Sequence, residues 1–231
     1  PAQGAARREV RFERWSAKPP LRAVAPLLAV LALCGCAPSR TIVTGPEADR
    51  AERFFAGLPG RVVFPVKASF SGTAAPVAGD AVPFVAGVSA PSPEEETVGL
   101  YDPLGRGVAF LANDGHRVAI SRGPAADLAG FRFAAPLDAG PVSLARILSG
   151  APGYAVAASE AARYEDGGWS LSDGRQTLRS DPGRRFLAGA EYRFQRMRVT
   201  VEYPERDSAE PPERIVLWVR GAKFTLRRDP E

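Results

Sequence analysis

From Arg61 onward the chain is built of short β-branched and aromatic runs separated by Gly, Asp-Gly and Pro turns. The pattern predicts strands over Arg61–Gly72, Val82–Ser89, Thr97–Tyr101, Gly107–Ala112 and Arg117–Ser121. After a helical interruption it predicts further strands over Trp169–Ser172, Gln176–Arg179, Tyr192–Tyr203, Arg214–Val219 and Lys223–Arg228. Asn113-Asp114-Gly115 and Asp173-Gly174 are hairpin turns, so neighbouring strands should run antiparallel. Two helices are expected. Glu47–Leu58 has acidic residues early and stops at Pro59-Gly60. Pro141–Gly150 opens on Pro, closes on Gly and puts Val142, Ala145 and Leu148 on one face. Tyr154–Tyr164 fits a second helix or a strand equally well. The stretch Thr73–Pro93 fits worst, because its four prolines confine a strand to an edge or leave a loop. The expected fold is mainly β (α+β): an unclosed, strongly curved antiparallel barrel with a short helical lid.

Ahead of this domain the pattern changes. Arg7, Arg8, Arg11, Arg14, Lys18 and Arg22 stand against Glu9 and Glu13, and Ala23–Cys36 carries no charge. A basic segment followed by an apolar run too short to span a bilayer is the layout of a secretory signal. Its end, Leu33-Cys34-Gly35-Cys36, resembles the bacterial lipobox, which makes Cys36 the expected lipidated residue. The expected organisation is a signal peptide over 1–35, a lipidated tether over 36–46 and one domain over 47–231. The chain's formal charge of +4 then resides wholly in the signal. A nucleic-acid partner loses its main support, since that needs a basic patch on the folded domain.

Candidate chemistry is thin. One His and two Cys in 231 residues are too few for a multi-His site or a His-plus-Cys zinc cluster. His116 follows a hairpin Asp-Gly and reads as an exposed residue. Gly87-Val88-Ser89-Ala90-Pro91 lacks the closing Gly of a nucleophile elbow. Glu94-Glu95-Glu96 reads as a solvated strand end, because consecutive strand residues alternate faces and cannot converge on one ion. The expectation is no enzyme, no catalytic residue, no cofactor and no metal.

The informative tetrapeptide is Asp102-Pro103-Leu104-Gly105. Its Asp, Pro and Gly each satisfy a type I turn preference, which leaves Leu104 at the tip, where most turns are polar. Leu104 either folds back on the core or is held out to touch a membrane or an acyl chain.

Tyr101-Asp102-Pro103-Leu104-Gly105, Val108-Ala109-Phe110-Leu111 and Asn113-Asp114-Gly115 together resemble the central hairpin of the LolB family of outer-membrane lipoproteins. Further along the chain, Ala145-Arg146-Ile147-Leu148-Ser149-Gly150-Ala151-Pro152 is similar to that family's helix. Val199–Tyr203, Pro212–Leu217 and Lys223–Arg227 are similar to its closing strands. The resemblance implies an apolar cavity that accepts acyl chains of lipoproteins or lipids. It also implies a protruding leucine in the Pro103-Leu104-Gly105 turn that assists insertion into the inner leaflet of the outer membrane, and a periplasmic carrier of LolA type as partner. Ala37 after Cys36 resembles an outer-membrane sorting signal. The implied protein is a lipid-anchored monomer that faces the periplasm.

Val199 and Val201, with Leu217 and then Phe224, alternate as an inward face; Trp218 gives its strand an apolar residue on the other side as well. Alternation shows which face is inward without showing whether the inside is full. The expected cavity is lined by these residues and covered by Val142, Ala145 and Leu148. An envelope lipoprotein of the same fold with a filled barrel and a structural or protein-interaction role is the alternative.

Overall fold

The computed structural model describes residues 39–75, 80–115, 117–124, 142–157, 160–194, 197–204, 206, 208, 210–219 and 221–230. Thirteen strands and two short α-helices occur among them. First come β1 (Arg40–Ile42), α1 (Pro46–Gly57) and a 3-10 turn (Pro59–Arg61). A meander follows: β2 (Val66–Ala75), β3 (Val82–Ala90), β4 (Glu96–Tyr101), β5 (Gly107–Asn113) and β6 (Val118–Arg122). After α2 (Leu144–Leu148) a second meander runs through β7 (Glu160–Tyr164), β8 (Trp169–Ser172), β9 (Gln176–Ser180) and β10 (Leu187–Phe194). It ends with β11 (Met197–Glu202), β12 (Arg214–Val219) and β13 (Ala222–Arg228).

All pairings are antiparallel, in one sheet of order β1-β7-β8-β9-β10-β11-β12-β13-β2-β3-β4-β5-β6. The two meanders join where β13 pairs with β2, Arg228 opposite Phe70. β1 and β6 are the two ends, so the curved sheet is unclosed. Each helix lies in a connection that leaves one meander or edge for another, α1 between β1 and β2 and α2 between β6 and β7.

α1 starts at Pro46 with Glu47 and Asp49 in its first turn, where acidic groups face the exposed N–H ends. Ala51 and Phe55, four residues apart, are its buried face. Phe54 meets Trp169 of β8 edge to face, ring centres 6.0 Å apart. One apolar core unites these with Phe70, Phe84, Tyr192, Val201 and Ile215 on the sheet and Val142 and Ala145 on the lid segment.

Several boundaries differ from expectation. The tether region supplies β1, which pairs with β7 through Thr41 opposite Arg163, so sheet structure extends back to Arg40 among the described residues. β2 starts at Val66 because Pro59–Arg61 forms a 3-10 turn and Pro65 lacks a ladder N–H. Tyr192–Tyr203 is two strands: it holds no Gly, Pro or Asp, yet its alternation changes phase between Phe194 and Met197, which pair across a reversal. Tyr154–Tyr164 resolves as strand β7 in its second half. Within Thr73–Pro93, β3 is an interior strand. Pro83 is tolerated there because β4 reaches only Val85, so β3 has a neighbour on one side alone at that level.

Candidate functional site

The β4–β5 connection is a five-residue loop, Asp102 to Arg106, clamped by its first residue. The Gly105 N–H donates to the Asp102 carbonyl (2.9 Å), and the Asp102 N–H donates to the Arg106 carbonyl (3.0 Å). Asp102 Oδ1 accepts from the N–H groups of Leu104 (3.0 Å) and Arg106 (2.8 Å), and Oδ2 accepts from Arg106 Nε (2.7 Å). Burial of Asp102 favours its neutral form, but the Arg106 hydrogen bonds and charge outweigh it and hold the carboxyl below its usual value. Gly105 sits at φ +78°, a conformation that side chains disfavour. A loop this well determined does not collapse inward. Leu104 is 77% exposed, which resolves its two expected fates in favour of the outward one. Phe110 and Val85, both partly exposed, and the Tyr101 ring stacked edge-on to Phe110 at 5.8 Å stand on the same hairpin and its neighbour.

At the opposite end of that hairpin, polar groups are buried. Glu96 and Asn113 are register partners on β4 and β5, and both are almost fully inaccessible. Glu96 Oε2 accepts from the Leu144 N–H (2.7 Å) and from Asn113 Nδ2 (3.3 Å), while Oε1 accepts from the Ala145 N–H (3.2 Å) and the Ser143 hydroxyl. Asn113 Nδ2 also donates to the Val142 carbonyl. The carboxylate therefore binds donors at the start of α2 that otherwise have no partner within the helix.

The other side of the lid is tied to β10 and to the segment that follows β11. The Tyr203 hydroxyl donates to the Ile147 carbonyl (2.7 Å), Arg206 Nη1 donates to the Gly150 carbonyl (2.9 Å), and the Gly153 N–H donates to the Tyr192 hydroxyl (3.1 Å). Burial pushes the Tyr192 and Tyr203 hydroxyls well above the usual phenol range. Tyr154, whose ring lies 6.1 Å from that of Tyr192, is pushed up to about 12 by burial and further by Asp173, against the opposing charge of Arg175. The segment from Val142 to Tyr154 is thus clamped across the inward face from two sides of the sheet.

The expected site residues fall in three places. Pro103, Leu104 and Gly105 form the exposed tip. Val142, Ala145 and Val201 are buried in the core, and Leu148, Val199, Leu217, Trp218 and Phe224 are half-buried. Val142 precedes α2 and packs beside it. Cys36, Ala37, His116 and Pro141 lie outside the described residues. None of the expected cavity residues lines the three principal cavities formed by described residues.

The largest of these three, of about 760 Å³, lies instead on the face of the first meander that points away from the core. Two register rows make its floor. Ser69, Gly87, Gly99, Phe110 and Ser121 lie side by side across β2 to β6, and Lys67, Ser89, Thr97, Ala112 and Ala119 form the row beside them. Their strand neighbours Phe70, Ala86, Val88 and Val98 are core residues, so the trough and the core are the two faces of one sheet. Gly99 is needed here: a Cβ would come within 2.7 Å of the Tyr101 ring, which forms a wall. Across five strands the trough is about 19 Å long at ordinary strand spacing.

Sequence reasoning missed Glu96 and Asn113. The signal was present, since period-two alternation from Val98 and Leu100 puts Glu96 on the inward face; a buried strand end corrects the solvated one expected. Tyr192 and Tyr203 announced themselves as core aromatics, whereas their hydroxyl partners on the lid are distant in sequence.

No protein-family model matches the chain, and no curated protein sequence matches it. Among solved structures, a LolA superfamily protein from Nitrosomonas europaea is similar at 12% identity and a TM-score of 0.46, over 79% of this chain and 91% of that one.

Proposed function

We propose that this chain is an envelope lipoprotein, anchored through Cys36 to the periplasmic leaflet of the outer membrane, that accepts acyl chains of lipoproteins or lipids and passes them to the bilayer. The observation that carries this reading is Leu104, an apolar side chain held out in solvent by a turn whose N–H groups are all engaged. Burying one leucine in hydrocarbon is worth roughly 1.5–3 kcal/mol, too little to anchor a protein and enough to orient one already tethered by lipid. The flanking Tyr101 and Phe110 suit the headgroup level, where aromatic rings concentrate. Acyl chains reach the inward face when the segment from Val142 to Tyr154 releases its clamps, and a carrier of LolA type supplies them.

The test is transfer of an acylated lipoprotein to vesicles. Leu104→Glu is expected to fold and to bind cargo but to fail at insertion. Wild-type transfer by that variant would remove the role given to Leu104.

One observation favours a second reading, an envelope lipoprotein of the same fold with a structural or protein-interaction role. Val142, Ala145 and Val201 are at most 1% exposed, so the space under the lid is filled in this conformation. Displacement of a fluorescent fatty acid separates the two readings, because saturable binding requires the lid to yield.

A further inference from the structure

A second cavity, of about 320 Å³, lies beside the C-terminal turn of the lid, against Ser149, Gly150 and Ala151. Four cationic side chains line it: Arg61, Lys67, Arg206 and Arg228. No carboxylate is among its described lining residues. Among the described residues, the carboxylate whose charge acts on Arg206 is Asp181, whose oxygens already accept from the N–H groups of Gly183, Arg185 and Phe186 and face the Arg185 guanidinium.

Two of the arginines are fixed by main-chain carbonyls. Arg61 Nη1 donates to the Arg185 carbonyl (2.6 Å), and Arg206 donates to the carbonyls of Gly150, Leu187, Ser208 and Glu210. Carbonyl dipoles orient a guanidinium without cancelling its charge. Burial, and after it the positive field of Arg61, push the Arg206 guanidinium below its ordinary value. Like charges gathered in a partly closed space are a cost that an anion relieves, and such a cleft concentrates anions before they touch it. Arg206, whose Nε and both Nη nitrogens already donate to carbonyls, contributes positive field, and the Lys67 ammonium is the point charge that a phosphate oxygen would meet.

The rest of the lining points to the kind of anion. Leu58, Val62, Val63 and Pro211 supply an apolar rim, and Val63 is 80% exposed. Lys67 and Arg228 also line the outward trough, so the basic pocket opens onto a slot floored by glycine, alanine and hydroxyl residues. Lys67, Arg228 and Asp229, whose carboxylate accepts from the Ser69 hydroxyl (2.7 Å), gather at the β2 edge of the trough, and the rows beyond them across β3 to β6 carry no charge. Charge at one end and an uncharged floor over the rest of a trough about 19 Å long match an amphiphile with one chain.

We propose that this basic pocket is a binding site for a phosphate monoester group, carried by a single-chain anionic lipid whose chain lies in the trough or arriving as free phosphate. The site is separate from the inward face and from Leu104, and it stands whether or not acyl transfer is the protein's role.

The experiment is calorimetric titration of the full chain with a lysophosphatidate below its micelle-forming concentration, with inorganic phosphate, and with the zwitterionic lysophosphatidylcholine. Saturable lysophosphatidate binding that weakens roughly tenfold in Lys67→Glu, recovers in Lys67→Arg and falls with added salt is the expected result. Inorganic phosphate binding as tightly as the lipid would assign the site to free phosphate; weaker phosphate binding assigns it to the lipid headgroup. Lys67 is exposed, and unchanged circular dichroism in both variants checks that the fold is kept. Leu104→Glu should bind the lysophosphatidate like wild type. Absence of saturable binding by both phosphate compounds, equal binding of the zwitterionic lipid, or indifference to Lys67→Glu would overturn the proposal.

Discussion

The two ends of the β4–β5 hairpin reverse the ordinary rule of burial. At the open end a carboxylate and a carboxamide, Glu96 and Asn113, are buried and hold the start of the lid. At the closed end Leu104 stands in solvent while the charged Asp102 folds inward to hold the turn. Each inversion has a local reason. The buried oxygens of Glu96 are saturated by donors at the start of α2, and the exposed leucine cannot retract from a loop whose N–H groups are already committed. The contrast separates two jobs within one element: one end fixes the fold, and the other is free to act on something outside it.

The sharpest test of the contrast compares Glu96→Ala with Leu104→Ala by denaturant unfolding. Glu96→Ala leaves the Ser143 hydroxyl and the Leu144 and Ala145 N–H groups without their acceptor, and a loss of roughly 2–4 kcal/mol is expected. A loss below about 1 kcal/mol would mean that water replaces the carboxylate and that the lid start is not held by it.

Alkaline titration examines the other side of the lid. Burial raises the values of Tyr154, Tyr192 and Tyr203 in the folded state. The folded form therefore retains protons that the unfolded chain releases, and stability falls as pH rises. It should be intact below the ordinary phenol value of 10.0 and decline through about 12, where Tyr154 itself ionises. Circular dichroism against pH would show this, and a flat profile to pH 12 would contradict it. Tyr203→Phe removes only the hydrogen bond to the Ile147 carbonyl, so about 1 kcal/mol is expected in denaturant unfolding.

The smallest effect is expected at the tip. Leu104→Ala should change stability by less than about 0.5 kcal/mol, as for exposed positions generally, while weakening association of the full chain with vesicles. Equal effects on stability and association would merge the two jobs that the hairpin separates.

Much of the fold was legible as alternation. The strands Trp169–Ser172 and Arg214–Val219 begin and end where the pattern places them, because Asp173-Gly174 and the Gly221 turn punctuate them. The reversal between Phe194 and Met197 was hidden for the opposite reason: no Gly, Pro or Asp marks it, and its one sequence signal is a change of phase, from apolar residues at even positions up to Phe194 to odd positions from Met197. The Leu104 turn was readable from four residues, since a local turn is fixed by local chemistry.

What the sequence determined by itself is therefore everything whose cause is near in the chain: the antiparallel meanders, the two helices and the turn that puts Leu104 at its tip. Tertiary structure alone decided that β13 meets β2, that Glu96 reaches a helix almost fifty residues later, and that four cations from separate segments line one pocket. It also put the core on one face of β2–β6 and a cavity of about 760 Å³ on the other. Alternation divides a strand into two faces, but whether a face is filled depends on what other segments bring to it, and that is a property of packing.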